Sequence, residues 1–117
     1  MKVNEFVTLL FEIEVSTHIA HLQTTSFAVH SALDGLYKDI VEHRDSFIES
    51  YQGKYGIISG YSKIDNQEGR DIIKYLSETS LKCEEFRLSL KEGYLQQIID
   101  DIVELINSTL YKLKNLK

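Results

Sequence analysis

Six side chains in the first half of the chain have the types and spacing to hold a metal ion: His18, His21, His30, Asp34, Asp45 and Glu49. All four histidines of the protein lie between positions 18 and 43, among apolar residues and carboxylates. Imidazole together with carboxylate suits iron, manganese or zinc better than calcium or magnesium. Ligation requires neutral imidazole, so binding should weaken as pH falls through the ordinary histidine range near ~6.5.

Positioning these groups needs helices. At ~100° per residue, His30, Asp34, Asp45 and Glu49 share one side of a helix, while Asp39, Glu42 and His43 point elsewhere. His30 and Asp34 form one i, i+4 pair, and Asp45 and Glu49 form another. At ~1.5 Å per residue the two pairs stand roughly 20 Å apart, too far to meet one ion within a chain. They can cooperate only across a two-fold interface in which this helix runs antiparallel to its mate. An earlier helix adds His18 and His21, spaced i, i+3, with Glu14 one turn before His18. Against this, a lone histidine on an apolar face is more often a hydrogen-bonded core residue, and paired acids more often a solvated face. Burying several uncompensated carboxylates is costly, so four matching positions bring the two readings close to level.

The elements follow from apolar periodicity. Val3, Phe6, Val7, Leu10 and Ile13, with Phe11 and Ile19 beside them, predict a helix to about Gln23. Thr24, Thr25 and Ser26 offer caps for a second helix from near Phe27 to near Tyr51, with Leu33, Leu36, Tyr37, Ile40, Val41, Phe47 and Ile48 inward. Residues 52–66 hold three glycines and no sustained period. A third helix is predicted from about Gln67 to Glu85, capped by Asp65 or Asn66, with Ile72, Ile73, Tyr75, Leu76 and Leu81 apolar. Ser89-x-x-Glu92 has the form of a capping box opening a fourth helix. The apolar surface of that last helix, Leu95 to Leu116, exceeds one stripe and places it centrally or between subunits. A second helix of about 25 residues is ~37 Å long, and a connection of about fifteen residues can return along it. An antiparallel four-helix bundle with one long crossover between its second and third helices, a ferritin-like arrangement, is therefore expected as a single domain over 1–117.

Composition closes off other classes. The chain carries 13 basic and 18 acidic residues for a net charge of −5, which argues against binding nucleic acid through a general basic surface. The lysines at 112, 114 and 117 form a small basic end, of the kind that complements a helix dipole. No apolar run reaches the ~18 residues needed to span a bilayer, so a cytoplasmic protein without membrane contact is expected. The single cysteine, Cys83, reads as a small buried residue.

The run from His30 to Glu49, HSALDGLYKDIVEHRDSFIE, resembles the second-helix motif H-x3-D-x10-D-x3-E of the Dps-type mini-ferritins, including the Leu33-Asp34-Gly35 step. Ser26 to His30 resembles the segment leading into that histidine, and His21-Leu22-Gln23 sits where the family has its first-helix HWN. The resemblance implies an intersubunit ferroxidase centre, in which the first-helix histidine, His30 and Asp34 come from one subunit and Asp45 and Glu49 from its two-fold mate. Its usual twelve-residue spacing selects His18, whereas the local sequence selects His21. Ser50 stands where the family has arginine. The short length resembles that of uncharacterised ferritin-like proteins of bacteriophage genomes, for which a homodimer or somewhat larger homo-oligomer is easier to defend than a twelve-subunit shell.

The expectation is thus a ferritin-like protein binding iron, or else manganese or zinc, between subunits, with Fe²⁺ oxidation as its reaction if it is catalytic. The competing expectation is a metal-free helical interaction protein that uses its last helix or the Tyr55–Tyr61 loop to bind a host or virion partner.

Overall fold

The computed structural model describes residues 1–65 and 68–117. Four helices account for most of them: α1 (Val3–Gln23), α2 (Phe27–Tyr55), α3 (Ile72–Arg87) and α4 (Gly93–Asn115), with no strand among the described residues. Among the described residues no helix is long and apolar enough to cross a membrane.

Each boundary has a local cause. The Ser26 hydroxyl accepts from the Val29 N–H at 3.2 Å and starts α2 where expected. The helix runs four residues past Tyr51, because Gly53 does not break it. It stops at Gly56, whose φ of 99° lies in the left-handed region that favours glycine. The third helix starts later than expected, at Ile72 rather than near Gln67, because Asp71 caps it by accepting from the Lys74 N–H at 3.2 Å. Of the caps expected there, Asn66 lies outside the described residues, as does Gln67, and Asp65 does not cap α3. The expected Ser89–Glu92 capping box does not form. Ser89 instead donates its hydroxyl to the Phe86 carbonyl, closing α3, and Glu92 is the residue that precedes α4.

The helices pack in the cyclic order α1, α2, α4, α3, so that α1–α4 and α2–α3 are the diagonals. At ~1.5 Å per residue the 29 residues of α2 span ~43 Å, which matches the 43 Å long axis of the molecule. The segment after α2 lies along α1 in the direction of that helix. Gly60 O accepts from Asn4 Nδ2 (2.8 Å), the Ser62 N–H donates to Thr8 Oγ1 (3.0 Å), and Glu68 accepts from Gln23 (2.6 Å).

The core is fully apolar at its centre: Phe6, Leu10 and Ile13 from α1, Leu33, Leu36, Ile40 and Phe47 from α2, Leu76 and Cys83 from α3, and Leu95, Ile99, Ile102 and Ile106 from α4. Phe6 stacks on Phe86 at 4.2 Å and meets Phe47 edge-on at 5.1 Å, joining α1, α2 and α3 at one end. Three residues expected inward, Tyr37, Val41 and Ile48, are only half-buried, and Leu81 is exposed because the buried stripe of α3 runs Leu76, Thr79, Ser80, Cys83, Phe86. Arg87 forms a two-bond ion pair with Asp100 that ties α3 to α4.

Candidate metal centre

The α1–α2 hairpin brings three of the six candidate residues together. Its connection is only three residues long, so the last turn of α1 faces the first turns of α2. His21 is buried and His30 half-buried, with their rings stacked at 3.7 Å. His21 Nδ1–H donates to the His30 carbonyl at 2.7 Å, and His30 Nδ1–H donates to the His21 carbonyl at 2.9 Å. A carbonyl oxygen can only accept, so in both rings Nδ1 carries the proton and a neutral ring keeps its lone pair on Nε2. The His21 carbonyl belongs to the last turn of α1, where helices leave acceptors unmatched, so His30 also caps that helix.

Asp34 lies one turn beyond His30, with Oδ1 3.9 Å from His21 Nε2. Tyr37 donates its hydroxyl to Asp34 Oδ1 at 3.2 Å, and Lys38 Nζ lies 3.0 Å from the same oxygen. The hydrogen bond from Lys38, helped by its charge, holds the Asp34 carboxyl below the usual carboxylate range against a smaller opposing effect of burial, and the Lys38 ammonium is raised in turn. Asp34 is therefore an anion at neutral pH, with Lys38 as its counter-ion.

Of the other three candidates, His18 lies beside this group and Asp45 and Glu49 lie far from it. His18 is exposed and stacks on Tyr37 at 4.0 Å, with its ring 6.1 Å from that of His21. Asp45 and Glu49 are exposed further along α2, about 22 Å and about 28 Å from His30 at the helical rise. Among the described residues no three His, Cys, Asp or Glu side chains converge closely enough to enclose an ion by themselves. The Asp34 side chain is 38% exposed, while the His21 side chain is 6% exposed.

The sequence reading missed Arg44, which is buried and pairs with Glu14 of α1 and with Asp45, the latter at 3.1 Å. Its guanidinium lies 4.0 Å over the Phe11 ring. A signal existed: Leu33, Leu36, Ile40, Arg44 and Phe47 advance by three, four, four and three residues, so Arg44 occupies a core-facing position of α2. Glu14, which had been grouped with the helix α1 histidines, is the counter-ion of this arginine.

A curated protein of Enterobacteria phage T4, described as an "Uncharacterized 14.6 kDa protein in mobD-ri intergenic region", is 27% identical over 117 residues, spanning 96% of this chain and 88% of its own. No solved structure matches the chain. The model of a family of unknown function, DUF5856, matches residues 21–113, which is most of the chain, and the protein belongs to that family.

Proposed function

We propose that the protein is a ferritin-like, Dps-type bundle that binds a transition metal, iron foremost, between two copies of the chain. His21, His30 and Asp34 would supply one half of the site, and Asp45 and Glu49 of a second copy the other. The observation that carries this reading is the reciprocal pair of imidazole–carbonyl hydrogen bonds. A ligating histidine normally donates its second ring N–H to a carbonyl or carboxylate, which fixes the tautomer and ring orientation, and both His21 and His30 are held in that way. His21 is preferred to His18 because its ring is buried, oriented and close to Asp34. The packing order of the helices and the course of the α2–α3 segment along α1 support the ferritin-like arrangement.

The donor set fits a borderline cation: two imidazole nitrogens and a carboxylate from one chain, two further carboxylates from another. Bound there, iron would supply redox chemistry, with Fe²⁺ as substrate and oxygen or peroxide as oxidant. The chain's own work is to hold two rings in one tautomer, keep Asp34 ionised, and fix Asp45 against Arg44.

The test is metal content and Fe²⁺ oxidation of tagless protein beside His30→Ala and Asp45→Ala, with cobalt absorption as a readout independent of turnover. Loss of metal in both folded variants is expected. Equal metal content and equal oxidation rates in all three proteins would overturn the proposal. The alternative, a metal-free interaction protein, draws on the exposed Ile57 and Tyr55 at the end of α2. Within that loop Ile58 is buried, and Tyr61 meets Phe11 edge-on while staying 45% exposed.

A further inference from the structure

The basic end of α4 is not absorbed by the metal reading, and it borders a groove. The start of α2, the last turn of α4 and the two residues after it border an open groove of about 480 Å³, within the ~300–1,000 Å³ usual for small-molecule sites. Ala28, Ser31 and Ala32 contribute little bulk on the α2 side, which leaves the space open. Two large apolar side chains flank it without being covered, Phe27 at 83% exposure and Leu116 at 50%. Ser26, Lys112 and Lys117 complete the lining, and neither lysine forms an ion pair among the described residues. No Asp or Glu side chain lines the groove, in a chain with 18 of them and a net charge of −5.

An occupant must therefore match apolar surface on its body and cationic surface at one end. We propose that this groove binds a medium-chain aliphatic monocarboxylate, with its hydrocarbon between Phe27 and Leu116 and its carboxylate at Lys112 and Lys117. A metal ion finds no ligands here, and a cationic amphiphile meets two like charges. The volume suits a small molecule better than a folded partner. The groove uses none of the proposed metal ligands, although Phe27 also lies near His30, with ring centroids 6.4 Å apart.

Calorimetric titration of the full chain with decanoate, decan-1-ol and decylammonium, each below its self-association range, tests it. Decanoate should bind saturably and more tightly than the alcohol, and decylammonium weakest. Lys112→Gln with Lys117→Gln should weaken decanoate about twofold to thirtyfold at low salt, the range for two exposed ion pairs. Ser31→Leu, at an exposed position, should fill the groove and abolish binding while leaving the thermal midpoint in place. Absence of saturable decanoate binding, equal affinity for the alcohol, or indifference to Ser31→Leu would each overturn the proposal. Self-association of the unliganded chain that Ser31→Leu disrupts would overturn it in favour of a second copy as occupant.

Discussion

Arg44 gives the sharpest test of how α1 and α2 are held together, because its two partners differ so much in exposure. The arginine side chain is 8% exposed, Glu14 is 32% exposed and Asp45 54%. Glu14→Gln leaves a guanidinium sealed over Phe11 with only the partly solvated Asp45 opposite it. Removing one partner of a fully buried pair costs about 3–5 kcal/mol, and the remaining contact to Asp45 reduces this to about 2–3 kcal/mol. Arg44→Met instead places an apolar side chain on a core-facing position and frees Glu14 to turn into water. Its cost is the lost cation–aromatic contact, about 0.5–2 kcal/mol, offset by apolar burial. Glu14→Gln should therefore be the more damaging single substitution, and adding Arg44→Met to it should restore part of the loss. At about 4 °C per kcal/mol for a chain of this size, Glu14→Gln lowers Tm by ~8–12 °C. Urea and thermal unfolding followed by circular dichroism measure all three variants. Arg44→Met proving more destabilising than Glu14→Gln, or a double variant worse than either single one, would refute the reasoning.

Other consequences are more local. Asp34 has a lowered folded pKa, so its contribution to stability is present above the ordinary carboxylate value of 3.8 and is lost as pH falls through the folded value. Asp34→Asn should flatten the acid side of the stability profile, measured as urea midpoint against pH. The Tyr55 phenol is pushed up to about 12 by its hydrogen bond to the Glu92 carboxylate, so Glu92→Gln should bring one tyrosine back toward 10 in an ultraviolet titration. Burial pushes the Cys83 thiol up to about 12, and disulfide reagents should label it only at the rate of unfolding, in contrast to a free thiol near 9.0. His30→Ala without metal should cost about 1 kcal/mol, the loss of one capping hydrogen bond, and leave the helical content unchanged.

Much of this architecture was legible in the residues. Val3 to Ile13 and Leu95 to Leu110 announce their helices by period alone, and Ser26 marks the start of α2, because caps and stripes depend on neighbours in sequence. What depends on contacts far along the chain was not. Leu81 keeps the helical period of α3 yet faces solvent, since only the position of α4 decides which of two stripes is buried. Gly53 reads as punctuation, but a glycine inside a well-packed helix costs only about 1 kcal/mol and α2 continues past it. Ser89 is a good cap by type and was taken by the carbonyl of Phe86 instead. The spacing favours His18 and the local sequence favours His21. The folded hairpin adds a ring–carbonyl exchange between His21 and His30 that the sequence does not show.

Complementation between two broken chains tests the shared metal site most directly. In a two-fold dimer with two sites, His30→Ala and Asp45→Ala each spoil both sites of their own homodimer. Refolded together in equal amounts, half of the dimers are mixed, and each mixed dimer holds one site intact in all its ligands, so about one quarter of wild-type capacity returns. Cobalt or iron binding measured on the separate and mixed variants should read close to nothing, close to nothing and about one quarter. Mixed dimers that bind no more metal than either variant alone, or a single variant that keeps full capacity, would contradict a site built across two copies.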